Sequence, residues 1–365
     1  MQSRFLVLRH CPTAAGIRGQ LAAWKPNWRP MSAKPSVRFR PTLTALLALV
    51  AAAAGGGSAH ATYPGTNDGR IAFGRELAVG QQPDIYSILP NGRALRQLTN
   101  HPAADICPAY SADGKQIAFC SSRTGASEIW TMRHNGKREQ QITRLGTAAT
   151  FPDFSPDATK ISFTSQGFFL PSPTSADVFV VDSEGSGTPM RLTNSPAFDG
   201  FQAYSPDGRK IAFISGRTGI NQVWVMNADG SNPVQLTFDP LPKGQVPDWS
   251  PDGRRLAYQA ATAGNGDIWV MNADGSAPTR LTTNPAFEYG PAWSPTGGRI
   301  AFVRPRGHTV LTGANIADRD IWVMDADGSD AYVLHHGSGV PAWQPRGKRL
   351  RSPSGSASRT RKDRR

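Results

Sequence analysis

A four-residue turn with the sequence Ser-Pro-Asp-Gly, or a close variant of it, recurs along this chain at nearly constant spacing. Its third position falls at seven places, which are Asp68, Asp113, Asp157, Asp207, Asp252, Thr296 and Arg346. The steps between them are 45, 44, 50, 45, 44 and 50 residues. A fixed period of roughly 20–50 residues is the signature of solenoids and propellers. The period therefore constrains the fold more than any single motif does.

One copy of the repeat, Val246–Thr282, contains four short apolar segments separated by turns. The segments are 246–249, 255–259, 267–271 and 278–282. Each is four or five residues long, and β-branched and aromatic residues make up much of them, which favours strands over helices. Ile268–Met271 is apolar at every position, so both faces of the sheet must be covered. The repeat predicts a four-stranded antiparallel blade packed between two others in a β-propeller.

The first strands of successive blades fix the number of blades. They are predicted at 108–111, 152–155, 202–205, 247–250, 291–294 and 341–344. The amino-terminal blade lacks a first strand of its own, and the strand at 341–344 has no blade of its own. We expect this last strand to complete blade one and close the ring, which removes an exposed sheet edge. The prediction is an all-β, six-bladed propeller spanning residues 62–350.

The amino-terminal segment has the pattern of an export signal. Residues 1–61 carry eight basic residues and no acidic ones. The apolar run Leu43–Ala54 is followed by Ala59-His60-Ala61, so we expect cleavage after Ala61. The run is too short to span a bilayer permanently. We expect an exported protein, periplasmic or at the cell surface, whose true start is Met31 and which has no integral membrane span.

The strong positive charge of the chain is concentrated at its two ends. Residues 346–365 hold nine basic residues and one acidic residue, whereas 62–345 hold 23 basic and 26 acidic residues. We predict a disordered basic tail at 351–365, because it has almost no apolar residues to pack. The tail is either a solvated end or a contact to an anionic surface. A nearly neutral body argues against nucleic acid as a partner.

The repeats resemble a known family. Their form is P-x-W-S-P-D-G, then D-I-W-V-M-x-A-D-G, then L-T, with the best copies at 247–282 and 291–328. Over residues 68–350 the chain resembles the TolB-type, WD-like propeller repeat family. The resemblance implies a periplasmic propeller that binds a protein at one mouth, as TolB binds the peptidoglycan-associated lipoprotein. TolB also has an amino-terminal α/β domain, and we expect that domain to be missing here, since only residues 62–67 precede the first blade.

Candidate binding residues lie where loops vary. Loops between second and third strands share one face with the inter-blade loops, here named the loop face, and the Ser-Pro-Asp-Gly turns lie on the opposite face, the turn face. Variable loops on a rigid scaffold usually carry binding. The ends of the inter-blade loops place five candidate partner-binding residues at the channel mouth, namely Asp105, Asp199, Gln245, Glu288 and Tyr289. Two interpretations stay open: the carboxylates hold a cation or a basic group, or they are solvated or paired with arginines and backbone N–H groups.

Two further features of the loops and turns have alternative interpretations. Phe168 and Phe169 lie in the second-to-third loop of blade three, where they either anchor a partner or fold back over the blade edge. The Asp-x-Asp-Gly copies such as Asp325–Gly328 end after one turn, too early for a calcium loop. We interpret them as turns and expect no metal or other cofactor.

Cys107 and Cys120 flank one hairpin of blade two, and an exported protein can oxidise such a pair. A two- or four-residue turn would place them directly opposite each other. The three-residue bulged turn favoured by Asp113-Gly114 would offset them by one residue and point them to different faces. A disulfide between them therefore stays open.

The leading functional hypothesis is an exported, non-catalytic scaffold of the cell envelope. We expect it to be monomeric and to bind an envelope protein or peptide at the loop face. The alternatives are a propeller-borne, metal-dependent hydrolase or lyase, and a carbohydrate-binding module. The sequence has no G-x-S-x-G nucleophile motif and no Cys/His cluster of zinc spacing.

Overall fold

The computed structural model describes residues 66–76, 81–166, 176–262, 265–306, 318–337 and 339–347. Within these residues the regular secondary structure consists of β-strands, and none of the described residues forms an α-helix. The predicted export signal, the proposed start at Met31 and the basic tail at 351–365 lie outside the described residues. The same holds for Phe168 and Phe169.

The described residues form 24 strands. In chain order they are β1 (Thr66–Arg75), β2 (Asp84–Ile88), β3 (Arg96–Gln97), β4 (Asp105–Tyr110), β5 (Gln116–Thr124), β6 (Ala126–Arg133), β7 (Gln140–Gln141), β8 (Ala149–Phe154), β9 (Lys160–Gln166), β10 (Ala176–Asp182), β11 (Met190–Arg191), β12 (Asp199–Tyr204), β13 (Lys210–Ser215), β14 (Gln222–Asn227), β15 (Val234–Gln235), β16 (Lys243–Trp249), β17 (Arg255–Thr262), β18 (Asn265–Asn272), β19 (Thr279–Arg280), β20 (Tyr289–Trp293), β21 (Arg299–Pro305), β22 (Arg319–Asp325), β23 (Tyr332–His336) and β24 (Ala342–Gly347).

These strands form six four-stranded antiparallel sheets, one for each predicted blade. Blade one has the spatial order β24-β1-β2-β3, and blades two to six take β4–β7, β8–β11, β12–β15, β16–β19 and β20–β23 in sequence order. The predicted six-bladed β-propeller is confirmed.

The ring closes through the carboxy-terminal strand, as predicted. β24 pairs antiparallel with β1, with Trp343 opposite Ile71. The indole N–H of Trp343 donates to the carbonyl of Ala292 in blade six at 3.1 Å. Asp68 of blade one accepts hydrogen bonds from the backbone and side chain of Thr296 in blade six, at 3.1 and 2.9 Å. Blade one thus contains the first three strands and the last strand of the propeller, and hydrogen bonds join it to blade six.

The core lies between the blades and comes from the repeated Ile-Ala-Phe of the second strands. The aromatic position of this triplet is buried in every blade, by Phe73, Phe119, Phe163, Phe213, Tyr258 and Phe302. Burying one such side chain contributes roughly 1.5–3 kcal/mol. Neighbouring blades supply the cover that the apolar strands require on both faces.

The turn face is built from the recurring Ser-Pro-Asp-Gly turns. In blade four the Ser205 hydroxyl donates to the Asp207 carboxylate at 2.6 Å, and the same oxygen accepts the Arg209 N–H at 3.1 Å. These hydrogen bonds, led by that of Ser205, lower the pKa of Asp207. Gly208 follows with a φ of 71°, a conformation that glycine adopts at little cost. The Asp207 carboxylate is therefore hydrogen-bonded within its own turn.

Candidate functional site

The inter-blade loops and the second-to-third loops meet on one side of the ring. In blade two the Ser122 N–H donates to the Ala104 carbonyl at 3.0 Å, and in blade five Ala261 donates to Pro242 at 2.9 Å. Each bond joins an inter-blade loop to the end of the second strand of the same blade, from which the second-to-third loop leaves. The two kinds of loop therefore lie on the same face, as the sequence indicated.

In blades one, two and three, a buried acidic residue near the start of the third strand holds the inter-blade loop that follows, and Gln222 takes this position in blade four. In blade one, Asp84 accepts hydrogen bonds from the Thr99 hydroxyl at 3.1 Å and from the His101 N–H at 3.0 Å. The Thr99 oxygen in turn accepts the Ile85 N–H at 2.9 Å. Blade three repeats the arrangement with Asp177. The first residue of the D-I-W segment and the threonine of the L-T segment thus stabilise these loops.

The three carboxylates predicted at the channel mouth lie at the start of the inner strands, where the sequence placed them. All three are fully buried, and each pairs with an arginine from the end of the neighbouring second strand. The nitrogen–oxygen distances are 2.7 Å for Arg123–Asp105, 2.7 Å for Arg217–Asp199 and 2.5 Å for Arg304–Glu288. These pairs occupy blades two, four and six. Of the two interpretations left open, pairing with arginine is the one that the structure shows.

Each of these arginines also covers a tryptophan of its own blade. The guanidinium carbon lies 4.6, 4.7 and 3.9 Å from the ring centroids of Trp130, Trp224 and Trp322 respectively. A cation over an aromatic face is attracted by the ring quadrupole. The arginine is therefore fixed between a carboxylate and a ring, and the pair presents little net charge to solvent.

Burial dominates the electrostatics of the mouth. It raises the pKa of Asp105, Asp199 and Glu288, although the paired arginines oppose the shift. An acidic surface at the mouth would need exposed carboxylates, which these residues do not supply. Their predicted part in partner binding stays a prediction, and any such part would act through the arginines that cover them.

The other two candidate residues of the mouth are also buried. Gln245 lies in an irregular segment of β16 with a φ of 58°, which is unusual for a residue other than glycine. Tyr289 begins β20, and its ring centroid lies 6.2 Å from that of Phe287 and 5.9 Å from the Arg319 guanidinium. Burial raises the pKa of the Tyr289 hydroxyl. Neither side chain is exposed enough to make a broad contact.

The inner strands share a bulge that the sequence analysis did not find. Cys107, Phe151 and Phe201 hold φ values of 56°, 54° and 55° at equivalent positions of blades two, three and four. The pairing register shifts by one residue at each of them. Such a bulge re-aims a side chain. The rings of Phe151 and Phe201 meet edge to face at 4.6 Å, which seals the inner strands of adjacent blades. The sequence signal is the proline that follows two of these three positions, Pro108 after Cys107 and Pro152 after Phe151.

The cysteine hairpin differs from the three-residue turn expected for Asp113-Gly114. Ser111 bonds Gln116, so the turn has four residues, and that count alone would place Cys107 opposite Cys120. The bulge at Cys107 instead pairs Ile106 with Cys120. Both cysteines are nevertheless buried in the same core cluster, as thiols. The three-residue turn, for which the two cysteines were expected to face different ways, is not the turn that the chain forms, and the bulge turns Cys107 toward the face of Cys120.

An exposed aromatic residue on the loop face was missed. Phe238, in the loop between blades four and five, is 77% exposed, and Ile220 in the second-to-third loop of blade four is 37% exposed. The Phe238 loop is ordered by a buried lysine: the Lys243 ammonium donates to the Asp239 carboxylate at 2.6 Å and to the Leu241 carbonyl at 2.7 Å. The signal available in sequence was the departure of this loop, Phe-Asp-Pro-Leu-Pro, from the other inter-blade loops.

The rest of the described surface contains fewer groups that could bind a ligand. A groove of about 580 Å³ runs along the seam of blades six and one, lined by Leu89, Pro90, Tyr332 and Val333 among others. Its cation, Arg299, is paired with Asp68 at 3.0 Å. Within the described ranges, no three His, Cys, Asp or Glu side chains are grouped so as to hold a metal ion. Nor does the described part of the chain contain a helix long and apolar enough to cross a membrane.

With the six blades and the loop face in place, comparison with known proteins assigns the family. Residues 31–169 and 241–358 match the family model described as the TolB beta propeller domain. The chain belongs to the TolB β-propeller family. A TolB homologue of Chlorobium luteolum is 29% identical over 144 residues, which is 40% of this chain and 31% of that protein. The chain thus aligns with about a third of that relative's length.

Solved structures of TolB proteins share this fold. The TolB of Acinetobacter baumannii superimposes with a TM-score of 0.65 at 22% identity, covering 76% of this chain and 67% of that one. A TolB-type protein of Agrobacterium tumefaciens superimposes with a TM-score of 0.60 at 21% identity, covering 77% and 91%. At such identities the likeness shows the fold alone.

Proposed function

We propose that this TolB-type propeller is exported, is not an enzyme, and binds a protein or peptide of the cell envelope through its loop face. Family membership and the resemblance to TolB repeats support a binding role. The export-signal pattern that precedes residue 62 supports the location. We further propose that the propeller acts as a monomer.

The observation that carries this proposal is the exposed Phe238 on an ordered loop. Interface hot spots are rich in aromatic side chains that fill a pocket on the partner. A side chain whose loop is already ordered loses less conformational entropy on binding. The contacts of Lys243 with Asp239 and Leu241 supply that order. The Gln222 amide adds a bond to the Asp239 carbonyl at 2.9 Å.

The pairing of the carboxylates near the channel mouth agrees with an apolar contact. Asp105, Asp199 and Glu288 are buried against arginines. They therefore hold the loop ends in place and do not give the surface a negative potential. Asp239, which neighbours Phe238, is paired with Lys243. Interface centres are typically depleted of charge. We propose that the five mouth residues stabilise the loop face from within, and that Phe238 and Ile220 make the main contact with the partner.

The same contacts weigh against the two alternative functions. A metal-dependent hydrolase or lyase would need the mouth carboxylates as ligands, and each is already held by an arginine. A carbohydrate-binding module stacks sugars on open aromatic faces. The Trp130 and Trp224 faces are covered by Arg123 and Arg217.

Affinity capture tests the binding role. The immobilised full chain is exposed to an envelope extract of the source organism, and each captured protein is then purified and titrated. Phe238→Ala and Ile220→Ala should each weaken binding, Phe238→Ala by about tenfold or more. The matched control is Val234→Ala, which removes an apolar side chain from β15 whose exposure, 57%, lies between those of Phe238 and Ile220. Equal affinity for the wild-type chain and the double variant Phe238→Ala/Ile220→Ala would refute a contact at this surface.

Export is tested separately, by expression and fractionation. We expect the envelope fraction to contain a chain whose first residue is Thr62, read from its intact mass. A full-length product retained in the cytoplasm would contradict export and leave the surface contact to be judged on its own titration.

A further inference from the structure

The two buried cysteines of blade two lie together although they are not paired in the strand register. Ala109 pairs with Ala118, and beyond the bulge Ile106 pairs with Cys120. Two residues of β4, Cys107 and Pro108, therefore stand opposite a single residue of β5. Because the extra residue sits in the left-handed region with a φ of 56°, its side chain is turned toward the face that Cys120 occupies.

Their surroundings confirm that the two thiols share one face. Cys107 and Cys120 belong to the same buried cluster. Phe119, the single β5 residue that stands opposite Cys107 and Pro108, points to the other face and packs in a different cluster. The Cys107 thiol lies near enough to Cys120 and to the backbone of Phe151 in blade three for both to affect its pKa. Two cysteines on adjacent antiparallel strands, with their thiols on one face, are placed for bridging with little backbone movement.

We propose that Cys107 and Cys120 form a disulfide that staples the inner hairpin of blade two at the loop-face end of the propeller. The bond would join β4 to β5 two residues from the Asp105 carboxylate and next to Ser121, whose hydroxyl accepts a hydrogen bond from Arg123 at 2.8 Å. It therefore holds the bulge and the Asp105–Arg123 pair in one arrangement. An oxidising envelope, which is part of the proposed function, is the compartment in which such a bond persists.

The oxidant is a disulfide, either a small molecule or an oxidoreductase. One cysteine thiolate attacks a sulfur of the oxidant, releases one thiol and leaves a mixed disulfide. The second cysteine thiolate then attacks the protein sulfur and releases the second thiol. Two protein thiols lose two electrons and two protons, and one disulfide of the oxidant becomes two thiols.

The burial of the pair determines when the bond forms. Cys107 is 3% exposed and Cys120 is completely buried. Burial, reinforced by Cys120, raises the pKa of the Cys107 thiol, so the folded chain holds little of the reactive thiolate. We infer that oxidation occurs while the chain folds, and that a chain folded in the reduced form oxidises slowly.

The test uses the full chain with Cys11→Ser, which removes the third cysteine. The chain is unfolded, reduced, and refolded either in a glutathione redox buffer or in dithiothreitol. It is then unfolded again in iodoacetamide and digested with trypsin. Cleavage after Lys115 separates Cys107, in the peptide 97–115, from Cys120, in the peptide 116–123. Circular dichroism before the alkylation shows whether the chain has refolded.

From the redox buffer we expect no alkylated cysteine and one linked pair of these two peptides within a single chain. The melting temperature should exceed that of the dithiothreitol sample by about 5 °C or more. A variant with Cys120→Ser as well should melt at the same temperature in both buffers. Two alkylated cysteines in a refolded chain would overturn the proposal, as would linkage only between chains. Because refolding takes place outside the cell, this outcome is independent of whether export is shown.

Discussion

Removing Arg217 should destabilise the propeller far more than removing an exposed arginine. Arg217 lies 2.7 Å from the Asp199 carboxylate, which is completely buried, and its own side chain is only 22% exposed. It also covers the Trp224 ring at 4.7 Å. Breaking a buried pair from one side leaves an uncompensated charge and typically costs about 3–5 kcal/mol. We expect Arg217→Met to lose about 3 kcal/mol of the free energy of unfolding, at the low end because the arginine is partly solvated.

The double variant Arg217→Met/Asp199→Asn separates charge from packing. It lacks the buried charge as well as its partner, so it should regain at least about 1 kcal/mol relative to Arg217→Met. Arg209→Met is the control, since Arg209 is exposed on the turn face, and it should stay within about 0.5 kcal/mol of the wild type.

The loss should also depend on pH, with a definite sign. Burial raises the pKa of Asp199 above its ordinary value, and without the arginine only the hydrogen bond with Ser215 still opposes the shift. The folded variant then binds a proton more readily than the unfolded chain, so its stability falls as pH rises through the folded pKa. Urea unfolding at pH 7 and pH 5 should show a smaller loss at pH 5. A double variant as unstable as Arg217→Met, or a loss equal to that of Arg209→Met, would show that Arg217 does not offset a buried charge on Asp199.

Three further predictions concern stability, all measured by urea unfolding. Thr193→Val removes the acceptor of a buried N–H and should cost about 1–3 kcal/mol, whereas the exposed Thr279→Val should cost little; equal losses would contradict the loop-holding role. Burial lowers the pKa of His335 to about 4, so the unfolded chain binds the proton first and stability falls as pH drops from 6.5 toward 4. His335→Gln should lose this component, and parallel pH profiles would argue against it. Gly114→Ala should cost more than about 2 kcal/mol, because its Cβ would lie 2.0 Å from a backbone oxygen at a φ of 66°. Ala158→Gly, at the same turn position in blade three with a φ of 57°, should instead gain about 0.5 kcal/mol, and a loss there would contradict the strain assigned to this turn.

The fold could be predicted because the same strand and turn patterns recur in every copy of the repeat. Short apolar segments, turn chemistry and the unpaired strand at 341–344 all indicated the same closed ring. The observed pairing of Trp343 with Ile71 is the closure that they implied. Consistency among local signals of this kind is what specifies one structure.

The mouth could be located in the sequence, but its chemistry could not be derived from it. Asp199 and Arg217 are 18 residues apart, and only the register of β12 against β13 brings them together. That register includes the bulge at Phe201, which carries no glycine to reveal its left-handed backbone. A one-residue shift changes which side chains meet, so the acidic appearance of the loop ends was a poor guide to their exposure.

Phe238 was not found for a different reason. Apolar residues in long second-to-third loops are the usual candidates for a contact, and in this sequence they are Phe168 and Phe169, outside the described residues. Phe238 follows directly after the L-T segment of blade four, where a repeat-based argument expects a buried or polar position. Its exposure depends on the path set by Lys243, a buried residue whose contacts no pattern predicts.

Hydrogen–deuterium exchange of the propeller, with and without its captured partner, shows which face of the ring the partner covers. We expect slower exchange on the loop face, in peptides that contain residues 218–221 and 238–242, with the turns at 205–210 and 250–255 unchanged. Protection confined to those turns, with the Phe238 loop exchanging at its unbound rate, would contradict binding through the loop face.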